Sequence, residues 1–371
     1  MKYPLSVTLS MALSLAAMAQ SGSSGMFLDD LSSVNIRLKK TGPARPCAFN
    51  HFEVIDQRPD TARIGIHAFV SALPSRSRNE QLVFPQPAAT EIAGYLDKYF
   101  ARPDAHCSAL IILRNLWLSD ANYLRDDRTK DPEISTHRTH IRLKAEIYAC
   151  IDSVYIPIVR FDTLQTYKRN SPYKPWSSYY SLWENDLTWI LSEMTDSASA
   201  LAAARVQNGR HLSREDILQF NQSRFEPTIT ASNMLTRGVY TSFQEFRDNA
   251  PSIQDFEVLK DKTNHVLYLK DTNGAAHYSR DAWGYCDGKD LFIMWAGRLY
   301  PLRKEGKAFY FLGKAYREDI SYGPPVFADG PPPARTSAPA HNSTYAGRSP
   351  YLDSWTANCI YTVDMDSGNA Y

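Results

Sequence analysis

The residues best placed by type to do chemistry surround Cys286, in the run Tyr285-Cys286-Asp287-Gly288-Lys289. A reactive thiol needs a cation or helix N-terminus to lower its pKa, and a base within reach. Lys289 is near in sequence, but on a hairpin it points elsewhere or into water. Asp-Gly is what a type I′ turn asks for, so Asp287 and Gly288 are accounted for without catalysis. The expectation is a turn beside a packed or disulfide-bonded cysteine. His137 and His140, in Thr136-His137-Arg138-Thr139-His140, are spaced like a metal pair. Two histidines need a third ligand and neutral rings, and Arg138 and Arg142 oppose a cation. They are read as a loop entering a strand, with no metal and no cofactor assigned.

Paired carboxylates for glycoside hydrolysis must face each other across a cleft. Glu184 and Asp186 instead fall in the first turns of a long helix, where their charge suits the helix dipole. Asp126, Asp127 and Asp131, interleaved with Arg125, Arg128 and Lys130, read as a solvated loop. The chain has no Gly-x-Ser-x-Gly elbow, His-Glu-x-x-His helix or Gly-rich phosphate loop. No catalytic residue is assigned, and whether the protein is an enzyme stays open. Tyr173, Trp176, Tyr179 and Tyr180 follow Pro172 and Pro175. Such rings can stack on sugars, anchor a partner, or staple the following helix onto a sheet.

The elements that would position these residues form an α+β fold. Phe52 to Asp56 and Arg63 to Val70 read as extended; Glu91 to Phe100 reads as a helix, with Thr90 as cap and Ile92, Tyr95, Leu96 and Tyr99 on one face. Ala109 to Leu118 is a buried strand, and His140 to Ala149 and Ser153 to Thr163 are two more, with a break at Ile151-Asp152-Ser153. In the first of these, Ile141, Leu143, Ala145 and Ile147 alternate with Arg142, Lys144 and Glu146, which marks one buried and one wet face. Tyr180 to Val206 is the longest helix, with Trp183, Leu187, Ile190, Met194 and Leu201 as its stripe and Gly209 as its stop. Leu212 to Gln222 adds a short helix capped at Ser213. This order gives a small sheet with helices on one side.

From Thr236 the texture changes to short strands. Ser242 to Glu245 is a capping-box pattern for a short helix ended at Asn249-Ala250-Pro251. Strands are expected over 256–260, 266–270, 278–283, 290–295, 298–302 and 308–313. Asn273-Gly274, Asp287-Gly288 and Glu305-Gly306 supply the reversals. The result is an antiparallel β-meander, either an open sheet or a partial barrel. Residues 322–349, rich in Pro, Gly, Ser and Ala, read as a mobile loop, and 354–365 as a last strand. The boundaries follow: 1–19 a signal peptide, 20–45 a flexible lead-in, 46–228 the α+β domain, 229–320 the β-rich domain, 321–350 the Pro/Gly-rich loop, 351–371 a C-terminal strand and tail.

The chain has 371 residues, with 41 basic side chains against 40 acidic ones. That balance gives no electrostatic footprint for nucleic acid or an anionic membrane. Lys2, the apolar stretch from Leu5 to Leu15 and Ala17-Met18-Ala19 have the pattern of a secretory leader cleaved before Gln20. The stretch is too short for a durable span, nothing later is long and apolar enough for a second, and the first cysteine, Cys47, lies too far along for a lipid anchor. An exported protein, periplasmic or extracellular and without lipid anchor, is expected. Of five cysteines, Cys150 reads as a small buried hydrophobe. Cys47 with Cys107, or Cys286 with Cys359, are able to bridge in an oxidising compartment, and spacing fixes no connectivity.

Gly238-Val239-Tyr240, Phe243 to Phe246, Asn249 to Phe256 and Trp283 to Lys289 together resemble a β-rich module of exported Bacteroidota proteins without assigned function. The resemblance covers roughly 236–313, and the closing Tyr361 to Gly368 is similar to how such proteins end. The first half resembles small periplasmic α/β domains of envelope-assembly proteins, through Val54-Ile55-Asp56-Gln57-Arg58 and Arg63-Ile64-Gly65. The resemblances imply an envelope role and bring no activity with them. The reading is a non-catalytic envelope or periplasmic binding or assembly protein with a protein or glycan partner. The alternatives are an exported hydrolase with a site between the halves, or a surface-assembly subunit that uses exposed strand edges.

Overall fold

The computed structural model describes residues 28, 31–39, 47–69, 78–124, 134–172, 177–261, 264–270, 274–279, 281–295, 297–314 and 358–371. The leader, Tyr173, Trp176, the 125–131 charges and the 322–349 segment lie outside these.

Apolar alternation builds the first half into one mixed seven-stranded sheet. Its strands are Ser32–Asn35 (β1), Phe49–Asp56 (β2), Gly65–Phe69 (β3), Arg78–Val83 (β4), and, after Ala88–Tyr99 (α1), Cys107–Leu124 (β5), Ile134–Ile151 (β6) and Val154–Pro172 (β7). The order is β1-β4-β3-β5-β6-β7, with β2 also on β5. β5 is long enough to pair in parallel with β2 over its first half and with β3 over its second. The loop between them is fastened by Arg58, which donates twice to Asp56 (2.8 Å each) and once to the Arg63 carbonyl (2.7 Å). The Val54–Arg58 motif thus has a local structural job. The β6–β7 reversal, foreseen at Ile151-Asp152-Ser153, turns on Asp152 and Ser153 at φ 48° and 66°.

One face of this sheet carries the main core. Ile111, Leu113, Leu143, Ala145 and Ile147 meet α1 through Ile92, Tyr95 and Leu96, and meet Ser177–Asn208 (α2) through Trp183, Leu187, Ile190 and Met194. Leu201, expected in that stripe, faces outward at 39% exposure, and Ala198 and Ala202 continue the contact instead. α1 starts at Ala88 behind Pro87, not at a Thr90 cap: Pro87 has the backbone preset (φ −49°), and burial of Ala88 draws the first turn inward. Arg214–Phe225 (α3) takes the opposite face and begins at the foreseen Ser213 cap, where Ser213 and Asp216 form a capping box.

The second half opens with Thr228–Ala231 (α4), Gly238–Tyr240 (β8) and Phe243–Arg247 (α5). Phe256–Asp261 (β9), Asn264–Lys270 (β10) and Ala276–Tyr278 (β11) form a three-stranded sheet. Gly284–Cys286 (β12), Leu291–Trp295 (β13), Arg298–Glu305 (β14), Ala308–Lys314 (β15) and Asn358–Thr362 (β16) join β8 in a six-stranded antiparallel one. Neither sheet closes, so the open form of the meander is the observed one. The expected strand over 278–283 is not continuous, because there the chain passes from the smaller sheet to the larger. At Gly284 a Cβ would lie 2.3 Å from the Phe292 carbonyl oxygen, so only glycine permits the close approach of β12 to β13. One face of the large sheet buries Tyr240, Phe246, Cys286, Ile293, Phe309 and Phe311. The other buries Tyr285, Phe292 and Leu299 against β9 and β10, and Tyr310 and Ile360 against Ile66 and Trp117 of the first half.

Candidate functional site

The side chains expected to be wet on β6 are covered. Arg142, Lys144 and Glu146 are all buried, together with Arg114 of β5. The lid is the turn after β16. Lys144 Nζ lies 2.9 Å from carboxylate oxygens of both Asp364 and Asp366. Arg142 approaches Asp364 at 3.6 Å and Asp162 at 2.6 Å, and Arg114 approaches Asp366 at 3.7 Å. Burial pulls the Asp364 carboxyl up, but Lys144, the Asp366 amide and Arg142 outweigh it and leave it below the usual range. The alternation was legible, but its partner lay 220 residues further along.

At one end of this strip the sheet opens into a groove of about 620 Å³ between β6–β7 and α3. Leu212 exchanges two backbone hydrogen bonds with Tyr155 (3.0 and 2.9 Å), which ties the start of α3 to the β7 edge. Ile217 seats the helix on Leu110, Ile112 and Tyr148. Arg214 donates to Glu53 at 3.0 and 2.5 Å. Gly209 lets the chain turn there, since a Cβ would lie 2.2 Å from Ile156 Cγ2. Tyr148, Pro157, Val159, Leu212, Ile217 and Phe220 give the groove an apolar lining, and Arg160, Arg210 and Asp216 give it charges of both signs. Phe220 is 48% exposed.

Glu146 is the buried acid of this groove, and both its oxygens are engaged. Oε1 faces Arg160 at 3.3 Å and Arg114 at 3.8 Å. Oε2 accepts from the Tyr148 hydroxyl (3.0 Å) and from Asn221 Nδ2 (3.4 Å). Burial first, and Glu146 second, push the Tyr148 hydroxyl well above its ordinary value, so it remains protonated. A carboxylate so engaged and a phenol so neutral make an anchored wall, not an acid–base pair. The groove suits an apolar group inserted between charged rims.

A second constellation that sequence reading missed lies at the far end of the sheet. His67 Nδ1 is 2.8 Å from Asp120 Oδ2, and Thr139 donates a short bond to Asp120 Oδ1. A histidine oriented by a carboxylate is the geometry of a general base. Here all three side chains are buried, and the imidazole lies 4.7 Å from the Trp183 ring, so the pair is a polar insert in the core. Its members sit on β3, β5 and β6, too scattered for any spacing pattern to show.

The sequence-predicted residues fall elsewhere. His137 and His140 are both within β6, not on a loop, and His140 Nδ1 lies 2.9 Å from Thr166 Oγ1. Among the described residues no group of three or more His, Cys, Asp or Glu could hold a metal ion. Cys286 is fully buried, with its thiol pushed up by burial. Its turn is not type I′: Gly288 alone has positive φ, and the Asp287 carboxylate accepts from the amides of Lys289 (2.9 Å) and Asp290 (2.7 Å). Glu184 lies beyond the first turn of α2, which holds no acid. It accepts from the Arg37 amide (3.1 Å) and contacts Lys39 closely, so it fastens the stretch after β1 to the helix instead of serving the dipole. Tyr180 packs its ring on Trp183 of the same helix at 5.5 Å and borders the main core.

Among the described residues no helix is long and apolar enough to cross a membrane. No family model matches the chain, and no curated protein matches it. Among solved structures, a DUF330 protein from Xanthomonas campestris aligns with 48% of this chain and 100% of its own, at 14% identity and TM-score 0.30. An uncharacterized protein aligns with 46% of this chain and 99% of its own, at 5% identity and TM-score 0.22. Likenesses of this size fix neither a family nor an activity for the chain.

Proposed function

We propose that this is an exported, non-catalytic binding protein of the periplasm or envelope, which receives apolar side chains of a protein partner in the groove between β6–β7 and α3. The observation that carries the reading is the groove itself: an aliphatic and aromatic lining with a half-exposed Phe220, beside an acid already bound on both oxygens. Aliphatic Val159, Leu212 and Ile217 suit a polypeptide better than a sugar, which stacks on flat rings and needs free hydrogen-bonding groups. The leader pattern supports export. The rival, a hydrolase with its site between the halves, finds less support, because the described contacts between the halves are packed rings and closed ion pairs.

Capture from native envelope extract tests the reading. The wild-type chain is expected to retain a partner that Phe220→Asp loses while keeping its Tm. Equal capture by Phe220→Asp rules the groove out. Hydrolysis by the purified chain that Glu146→Gln abolishes would favour the rival. Mass spectrometry of the exported product is expected to find Gln20 at its start, and an intact Met1 would remove the address.

A further inference from the structure

The acids that line the groove between β6–β7 and α3 are engaged within the fold, whereas its arginines still face water. Glu146 is held on both oxygens by Arg160, Arg114, Tyr148 and Asn221. Asp216 accepts from the Ser213 amide and hydroxyl at 2.9 Å each, which closes the capping box of α3. Arg210 lines the same groove and is exposed. Its charge acts on Asp216 through space, and among the described residues it makes no hydrogen bond or ion pair. Arg160 meets Glu146 and keeps 44% of its side chain exposed. The apolar slot is therefore bordered by positive charge that an incoming carboxylate can still reach.

The same face of the sheet shows what its cations take when the chain itself supplies it. Arg114 lies 3.8 Å from Glu146 in the groove and 3.7 Å from Asp366 of the closing turn, so the groove and the covered strip are continuous. On that strip lies Asp364-Met365-Asp366. Lys144 and Arg142 face its acids, and the Met365 side chain between them is buried. Acid, apolar, acid is a pattern this surface already accepts.

We propose that the groove selects a polypeptide segment whose apolar anchors are flanked by Asp or Glu, and that Arg210 and Arg160 make the selection. This rests on the reading of the groove as a partner site. The anchors lodge beside Phe220, and the flanking carboxylates meet guanidinium groups, whose planar fork fits them. Both arginines stay in contact with water, so each pair adds little affinity. Their effect falls on which partner is chosen and how fast it is met, while the apolar anchors hold it.

The test uses the full chain and three dye-labelled peptides: Gly-Asp-Leu-Asp-Phe-Asp-Gly, and its counterparts with Ser or Lys in place of every Asp. Binding is followed by fluorescence anisotropy, after Arg210→Glu and Phe220→Asp are shown to keep the wild-type Tm. The wild-type chain is expected to bind the Asp peptide about three- to fivefold more tightly than the Ser peptide, and the Lys peptide least. Added salt should narrow that gap. Arg210→Glu should invert the order, and Phe220→Asp should lose all three peptides. Equal binding of the three by the wild type, or an order that Arg210→Glu leaves unchanged, overturns the charge selection and leaves the groove standing. Binding that Phe220→Asp leaves intact overturns both, because the peptides then sit elsewhere. Binding of none of the peptides also overturns both, and laurate bound in their stead makes the groove a lipid site.

Discussion

At the scale of single residues, Lys144 holds the most consequential position. Its ammonium sits between two acids on a chain segment 220 residues away; Lys144 and Asp364 are buried, and Asp366 stands exposed at the rim. Lys144→Ala removes the nearer of the two cations facing buried Asp364 and leaves Arg142 at 3.6 Å, which should cost about 3 kcal/mol and show as a lower denaturation midpoint. Lys144→Ala with Asp364→Ala should cost less than the sum of the two single changes, since the orphaned charge is gone; strict additivity in the cycle would deny the coupling. None of this was visible in the residues themselves. Arg142, Lys144 and Glu146 have the alternation of an exposed face, and only the acids of a distant turn make that face interior. His67 and Asp120 are unreadable for the same reason: nothing local marks two polar residues on separate strands as partners. Cys286 was readable, because a cysteine beside Asp-Gly suggests a packed side chain next to a turn.

At the scale of elements, what local physics governs was legible. The cap at Ser213, the stop at Gly209, the hairpin at Asp152-Ser153 and the stripes of α1 and α2 follow from turn chemistry and periodicity. What failed depends on neighbours. Thr90 looked like a cap until Ala88 was drawn into the core, and the strand over 278–283 breaks where the chain changes sheets. The parallel pairing of β3 with β5 gives the sharpest test at this scale. A Cβ on Gly65 would lie 1.9 Å from the Leu118 carbonyl oxygen, so the two backbones are in contact with no room for a methyl group. Gly65→Ala is expected to destabilise by about 3 kcal/mol through overpacking, measurable by urea titration. Gly94→Ala, where a Cβ meets nothing within 4 Å in the middle of α1, should leave stability unchanged or slightly raised.

Across the molecule, the two halves are joined by charge as much as by apolar packing. Tyr310 donates to Asp60 at 2.5 Å, and Arg63 bridges Asp60 and Glu305 at 3.2 Å each, beside the Trp117–Tyr310 ring contact at 6.0 Å. Because the Asp364 carboxyl is held below its ordinary value of 3.8, its contribution is fully present above that value. It is lost as the pH falls through the lower, folded-state value. The expected result is a Tm that declines below about pH 4. That decline should be shallower in Asp364→Asn, which starts from a lower Tm at neutral pH. An equal acid slope in both would place the acid sensitivity elsewhere.

The late arrival of those acids has a consequence for synthesis. Until residues 358–371 emerge, Arg114, Arg142, Lys144 and Arg160 lack Asp364 and Asp366, and Glu146 and Asp162 are among the acids left beside them. A nascent or truncated polypeptide would therefore display a cationic surface that the finished protein conceals, drawn towards acidic lipid headgroups and chaperones until its own tail displaces them.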